Sequence, residues 1–336
     1  MVFHRFGNAG VDEPPPGTFL RMMIPRTDPR RGRVMLRGEL LDLGYQDKAI
    51  ARLVREGTWV KLRHGAYTES ATWAELDERG RHALRARAVA LQARTPVVVS
   101  HVSGCTFYDA PSWGLDLTTV HVTREDGKAG RREAGVDQHS GALQDGDVVA
   151  VDGLPVMSAT RVALETTMVA PVEASLGVVN HLLHANHTTL SLLRERYAGM
   201  GQWPGSLTTD LVLRLADPRV ESLGETRCCY LFFANGLPKP DLQHTITDRS
   251  GRVIARVDFA WPELGVFVEF DGRVKYEKLL KPGQSASDVV IAEKRREELI
   301  CRLTGWRCLR LTWRDLEDPR DFLASLWALL KRPASA

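Results

Sequence analysis

A chain of 336 residues is too long for one average domain and predicts two or three. Its 43% hydrophobic and 26% charged residues are the balance of a folded globular protein, which excludes a fibrous or wholly disordered chain. With 45 basic against 42 acidic residues, the net charge of +3 does not announce nucleic-acid binding, so the clustering of charge matters more than its sum.

No segment approaches the roughly 18 uninterrupted apolar residues of a membrane span. The early run 17–25 is broken by Arg21 and is too short for a secretory core. A cytoplasmic protein with no membrane contact is the expectation. Cys105, Cys228, Cys229, Cys301 and Cys308 are odd in number and lack Cys-x-x-Cys spacing, so they read as reduced thiols.

Residues 1–32 combine Pro14, Pro15 and Pro16 with scattered charge and predict a poorly ordered tail. The basic cluster Arg26, Arg30, Arg31 and Arg33 at its end reads as solvated. Residues 33–80 change texture. An amphipathic helix over Met35–Leu43 stops at Gly44, and a second over Gln46–Glu56 stops at Gly57. Short strands at Trp59–Arg63 and 65–68 follow.

That order predicts a helix-turn-helix with a wing. Gln46, Lys48, Arg52 and Arg55 on the second helix suit groove entry, with Lys61, Arg63 and His64 on the hairpin suiting phosphate contact. A helical adaptor with an ordinary charged surface is the alternative. The stretch from Leu43 to Tyr67 resembles the winged-helix domain of AbiEi-type antitoxins. The resemblance implies promoter DNA as a partner, repression of the protein's own operon and a cognate toxin.

Residues 81–205 mix a helix over His82–Arg94, strands at Pro96–Ser100, Thr119–Thr123, Val149–Val151 and Leu154–Met157, and a helix capped by Ser158. His101-Val-Ser and Ser158–Leu164 resemble the second domain of the same antitoxins. His101, His121, His139, His181, His184 and His187 read as capping or exposed histidines. The i,i+3 pair His184 and His187 has no carboxylate at a matching spacing.

Residues 206–336 predict a helix over Asp217–Gly236, strands at Leu242–Thr247, Val253–Trp261 and Val266–Asp271, a long helix over Ala286–Thr304, a strand at Arg307–Thr312 and a closing helix over Asp321–Lys331. Within this run, period-two geometry puts Glu269 and Asp271 on one face of their strand, with Asp258 delivered by the strand before. Three acids near one point are costly without a cation. Hard oxygen ligands suit Mg²⁺, with Mn²⁺ as substitute, and phosphodiester cleavage is the expected chemistry.

Val257–Pro262, Val268–Gly272, Glu293–Glu297 and Gly305–Trp313 resemble the Vsr-like branch of the PD-(D/E)XK endonucleases. The fold expected for the whole is thus multidomain α+β: an N-terminal winged helix-turn-helix, a mixed middle domain and a C-terminal restriction-endonuclease-like α/β core.

The resemblance assigns Asp258 and Glu269 to the metal, with Asp271 as third ligand or supporting group, and Glu225 as a further acid from the preceding helix. The sequence departs from the family where a lysine is due, because Asp271 stands two residues after Glu269. Lys275 is the expected substitute cation, with Lys294 and Arg295 as phosphate clamps. Ser222 and Glu225 also fit a helix capping box, and Lys294 with Glu298 an ordinary surface pair. A homodimer would cut both strands of a duplex and a monomer would nick one. The alternative to an enzyme is an AbiEi-like antitoxin or repressor whose nuclease fold is degenerate.

Overall fold

The computed structural model describes residues 32–200, 205–248, 250–272 and 286–331; the proline-rich tail with Arg26, Arg30 and Arg31, and Lys275, lie outside them. The described chain is mixed α/β and is built on three sheets.

The first sheet is small, with β1 (Met35–Leu36), β2 (Trp59–Arg63) and β3 (Ala66–Glu69) in the order β1-β3-β2. Helices Arg37–Asp42 and Asp47–Arg55 precede the hairpin, and Leu40, Ile50 and Trp59 close one core with Met35. Gly44 and Gly57 follow these helices at positive φ, the left-handed turn that glycine adopts without strain. The helix expected from Met35 starts two residues later. Met35 and Leu36 instead pair with Tyr67 and Ala66, because the open edge of β3 offers ladder partners.

The second sheet joins β4 (Val97–Val99), β5 (Val120–Arg124), β6 (Arg131–Glu133), β7 (Val136–Ser140), β8 (Val148–Val151) and β9 (Leu154–Met157) in the order β6-β7-β5-β4-β9-β8. Val98 and Met157 pack against helices Ala159–Val169 and Val172–His184. Val99, Val122, Val136 and Val156 pack on the opposite side with Ala86 and Val89 of helix Glu78–Gln92. That helix runs through residue 80 and buries Leu84 and Ala88 against Val34 and Ala66 of the first unit, so it joins the two sheets.

His82 of the same helix is fully buried, with Nδ1 2.8 Å from the Leu117 carbonyl and Nε2 2.8 Å from Ser103 Oγ. Burial pushes its pKa below the ordinary value, against the opposing effect of the Leu117 carbonyl. Burial also lowers His181 and His187. A base depressed in the fold contributes stability above its unfolded value of about 6.5 and loses it as pH falls towards the folded value. The thermal midpoint is therefore expected to fall steeply below that pH, each such histidine removing ~1.4 kcal/mol per pH unit. A midpoint that is flat from pH 7 to 5 would contradict this.

The third sheet has β10 (Asp241–Thr247), β11 (Val253–Trp261), β12 (Val266–Asp271) and β13 (Arg307–Thr312) in sequence order. The first three are antiparallel and β13 lies parallel to β12. Helix Leu223–Ala234 covers one face through Cys228 and Phe232, and helix Ala286–Thr304 the other through Ile300. The helix expected from Asp217 begins only at Leu223. Asp217 turns the chain by accepting from the Arg219 amide, and Ser222 then caps the helix.

Gly224 lies where this helix meets β12. A Cβ there would come within 1.9 Å of the buried Phe270 ring, itself set edge-on to Trp313. Gly224→Ala gains ~1 kcal/mol of helix propensity. It is expected to lose ~3 kcal/mol to overpacking, a net loss that urea denaturation would read. No helix among the described residues is long and apolar enough to cross a membrane.

Candidate functional site

Alternation along β12 assigns its residues to two cores. Val266, Val268 and Phe270 pack with Phe232, whereas Phe267 packs with Ile300. Glu269 and Asp271 therefore share the face covered by helix Ala286–Thr304. The last paired residues of β11 and β12 are Phe259 and Val268, and continuing that register sets Asp258 across from Glu269. Asp258 closes the ladder itself, its Oδ2 accepting from the Phe270 amide at 2.9 Å.

The backbone is unusual at the same point. Leu242↔Phe259 and His244↔Val257 place Gln243 opposite Asp258, and Gln243 has φ +52. A left-handed non-glycine residue within a strand costs ~1–3 kcal/mol and marks a site held by its surroundings. Both strands change face here: Leu242 and Phe259 belong to one core, Ile246, Ala255 and Val257 to the other. The Gln243 side chain donates from Nε2 to Glu225 Oε2 at 2.9 Å.

Glu225 is buried, and its carboxylate accepts from the Glu221 amide at 3.0 Å and from Ser222 Oγ at 2.8 Å. The capping role is thus present, and through Gln243 the same carboxylate reaches the strand position facing Asp258.

Cations meet the acids from two elements. Arg296 ion-pairs with Glu269 and also donates to the Arg256 carbonyl at 3.1 Å. Arg310 stands beside Glu269 in the parallel register of β13. It donates to Glu297 at 2.8 Å and lies 3.9 Å from Asp271. Burial pushes the Glu269 carboxyl above its ordinary value; Arg296 opposes this and Asp258 adds to it. Lys294, Arg295 and Arg296 are all exposed on this helix, and Arg296 is the one whose ion pair reaches the acids.

No three of Glu225, Asp258, Glu269 and Asp271 bring ligand atoms within 4.8 Å of one another. Their partners explain it: Glu269 and Asp271 are drawn towards separate guanidinium groups and Asp258 to a backbone amide. Among the described residues, the group that does meet that spacing is His121, Asp137 and His139, although the spacing of the histidines suggested no role for them. The pair His184 and His187 does not share a helix face, since the helix ends at His184.

At the other end of the chain, Gln46, Lys48, Arg52, Arg55, Lys61 and His64 are exposed and Arg63 is half-buried. Arg52 lies 3.8 Å from Glu56 in a loose surface pair, leaving this side of helix Asp47–Arg55 predominantly basic.

Arg296 and Arg310 escape sequence reading because neither sits two residues after Glu269, where a lysine is expected. Period-two alternation in β13, read together with its parallel pairing to β12, is the signal that identifies Arg310.

No family model matches the chain. Two proteins of Mycobacterium tuberculosis, Uncharacterized protein MT2308 of strain CDC 1551 and Uncharacterized protein Rv2248 of strain H37Rv, are each 25% identical to it over 261 residues. The match covers 73% of this chain and 90% of theirs, so the similarity extends beyond the C-terminal sheet.

Proposed function

We propose that the chain is a two-part DNA-acting protein, in which an N-terminal winged helix holds DNA and a Vsr-like, restriction-endonuclease-like core hydrolyses or nicks a phosphodiester with Mg²⁺ or Mn²⁺. One observation carries the reading: the register of β11 and β12, continued one step past its last pair, brings Asp258 opposite Glu269, beside the strained Gln243 where β10 and β11 change face. Two carboxylates so placed repel unless a cation lies between them.

The donor set fits the ion. Asp258 and Glu269 would hold it with hard oxygen atoms, and Asp271 lies on the same face to support them. The bound ion supplies Lewis-acid charge and a more acidic water. The rest is the chain's own work. The Arg296 side chain is 42% exposed, free enough to leave Glu269 and meet a phosphate oxygen. Arg310 offers a second guanidinium fork from β13. Together they supply the positive charge that Asp271 cannot. Glu225, through Gln243, keeps the strained strand in place opposite Asp258.

The DNA-facing residues of the first unit are Gln46, Lys48, Arg52, Arg55, Lys61 and Arg63. Incubation of the full chain with supercoiled and single-stranded DNA in Mg²⁺ or Mn²⁺ tests the proposal. Nicked or linear product is expected; no product from either substrate in either metal removes the enzyme.

A second reading, an AbiEi-like antitoxin or repressor with a degenerate nuclease fold, is favoured by Asp271 in the lysine's place and by the ion pair that already neutralises Glu269. It predicts a salt-sensitive gel shift with the DNA upstream of its own gene and no cleavage.

A further inference from the structure

The second sheet carries a cluster outside the proposed nuclease site. Strands β5 and β7 are parallel, with His121 beside Asp137 and Thr123 beside His139. The i,i+2 spacing keeps Asp137 and His139 on one face, while Val120, Val122 and Val136 fill the core on the other. One ligand atom from each of His121, Asp137 and His139 lies within 4.8 Å of the others. His121 Nδ1 and His139 Nε2 are 2.9 Å apart.

A third imidazole stands behind them. His101 stacks on His139 with ring centroids 3.6 Å apart, and its buried Nε2 has no hydrogen-bond partner. Its own backbone is left-handed, at φ +50. Ser100 Oγ lies 3.0 Å from His101 Nδ1, and Glu165 accepts from the His101 amide at 3.2 Å. Strain and an unmade hydrogen bond are held here by a buried framework.

We propose that His121, Asp137 and His139 form a binding site for a first-row divalent transition-metal ion, with Zn²⁺ as its occupant. Two imidazoles and one carboxylate are a donor set for such ions and leave a coordination position open, whereas Mg²⁺ prefers oxygen alone. Tetrahedral Zn–N bonds set the two ring nitrogens ~3.3 Å apart, so the histidines need to part by only a few tenths of an ångström.

Burial, reinforced by His139, lowers His121 to about 4, and burial also lowers His139. Two contacts compete with an ion: the hydrogen bond between the His121 and His139 rings, which the ion would replace, and the pair of Arg132 with Asp137 at 2.8 Å, whose arginine side chain is 74% exposed. Asp137 and His139 are only partly buried, which gives the ion a path from solvent. Bound there, it would tie the edge hairpin of β6 and β7 to β5. The site is independent of the nuclease reading, which concerns a different sheet and oxygen ligands.

The test uses the tag-free full chain, stripped with a chelator and titrated with Co²⁺ and then Zn²⁺. One equivalent of Co²⁺ is expected to give visible d–d absorption that Zn²⁺ abolishes, and Zn²⁺ is expected to raise the thermal midpoint. His139→Gln and Asp137→Asn, at half-buried positions where the fold can be checked by circular dichroism, are expected to weaken binding ~100-fold, since even supporting residues of metal sites cost 10–100-fold. The proposal is overturned if wild type takes up neither ion. It is also overturned if the two variants bind equally well, or if the Co²⁺ spectrum is a thiolate charge-transfer spectrum that His139→Gln retains.

Discussion

Asp258→Asn is expected to slow metal-dependent DNA cleavage by ~10²–10³-fold while leaving the thermal midpoint nearly unchanged, because a metal ion's charge stabilisation is worth several kcal/mol and each ~1.4 kcal/mol is tenfold in rate. The substitution separates chemistry from folding. Asparagine keeps the shape of aspartate, and its carbonyl oxygen can still accept the Phe270 amide now held at 2.9 Å. What it removes is one of the two facing negative charges. Glu269→Gln should lose cleavage equally but also frees Arg296 from its ion pair, so its stability is expected to change more. Single-turnover cleavage alongside urea unfolding reads both quantities. Comparable losses of rate and stability in Asp258→Asn would assign the carboxylate to structure.

Arg161→Met should destabilise the protein by ~3–5 kcal/mol, the cost of stranding a buried charge. Arg161 is buried, and it holds Glu165 at 2.7 Å and Asp147 at 3.2 Å. Arg196 also reaches Asp147, at 2.6 Å, so that acid keeps a partner after the substitution. Glu165 keeps the His101 amide but loses its guanidinium: it is about 1% exposed, and burial already pushes its carboxyl up against the opposing charge of Arg161. The effect should therefore be largely coupled. In a Glu165→Leu background, Arg161→Met is expected to cost much less, because replacing both members of a buried pair with apolar groups is often nearly neutral. Additive losses in this double-mutant cycle would show that the pair contributes nothing jointly.

The third sheet was legible because its strands alternate with period two and end in turn signals. Val253–Trp261, Val266–Asp271 and Arg307–Thr312 occupy the predicted residues. The shared face of Glu269 and Asp271 followed from the same alternation, whereas the place of Asp258 did not, because β11 changes face there. The face change at Gln243 did not, since a glutamine in left-handed conformation has no local signature and depends on the Glu225 contact from another element. Arg296 and Arg310 were not anticipated for a related reason: they meet the acids through helix packing and parallel register, neither of which is local. In the middle of the chain, Arg131–Glu133 is an exposed strand without an apolar face, so hydrophobic patterning passes over it and over the neighbouring β7. Without β7 in its parallel register, nothing in the sequence brings Asp137 and His139 beside His121.

The nuclease proposal meets its most direct test in the initial rate of supercoiled-plasmid nicking by the wild-type chain and Asp258→Asn, measured in Mg²⁺ and in chelator with equal folded protein. The account predicts nicking by wild type in Mg²⁺ alone and a rate at least ~100-fold lower for the variant. Equal rates for the two proteins, or nicking that persists in chelator, would contradict it.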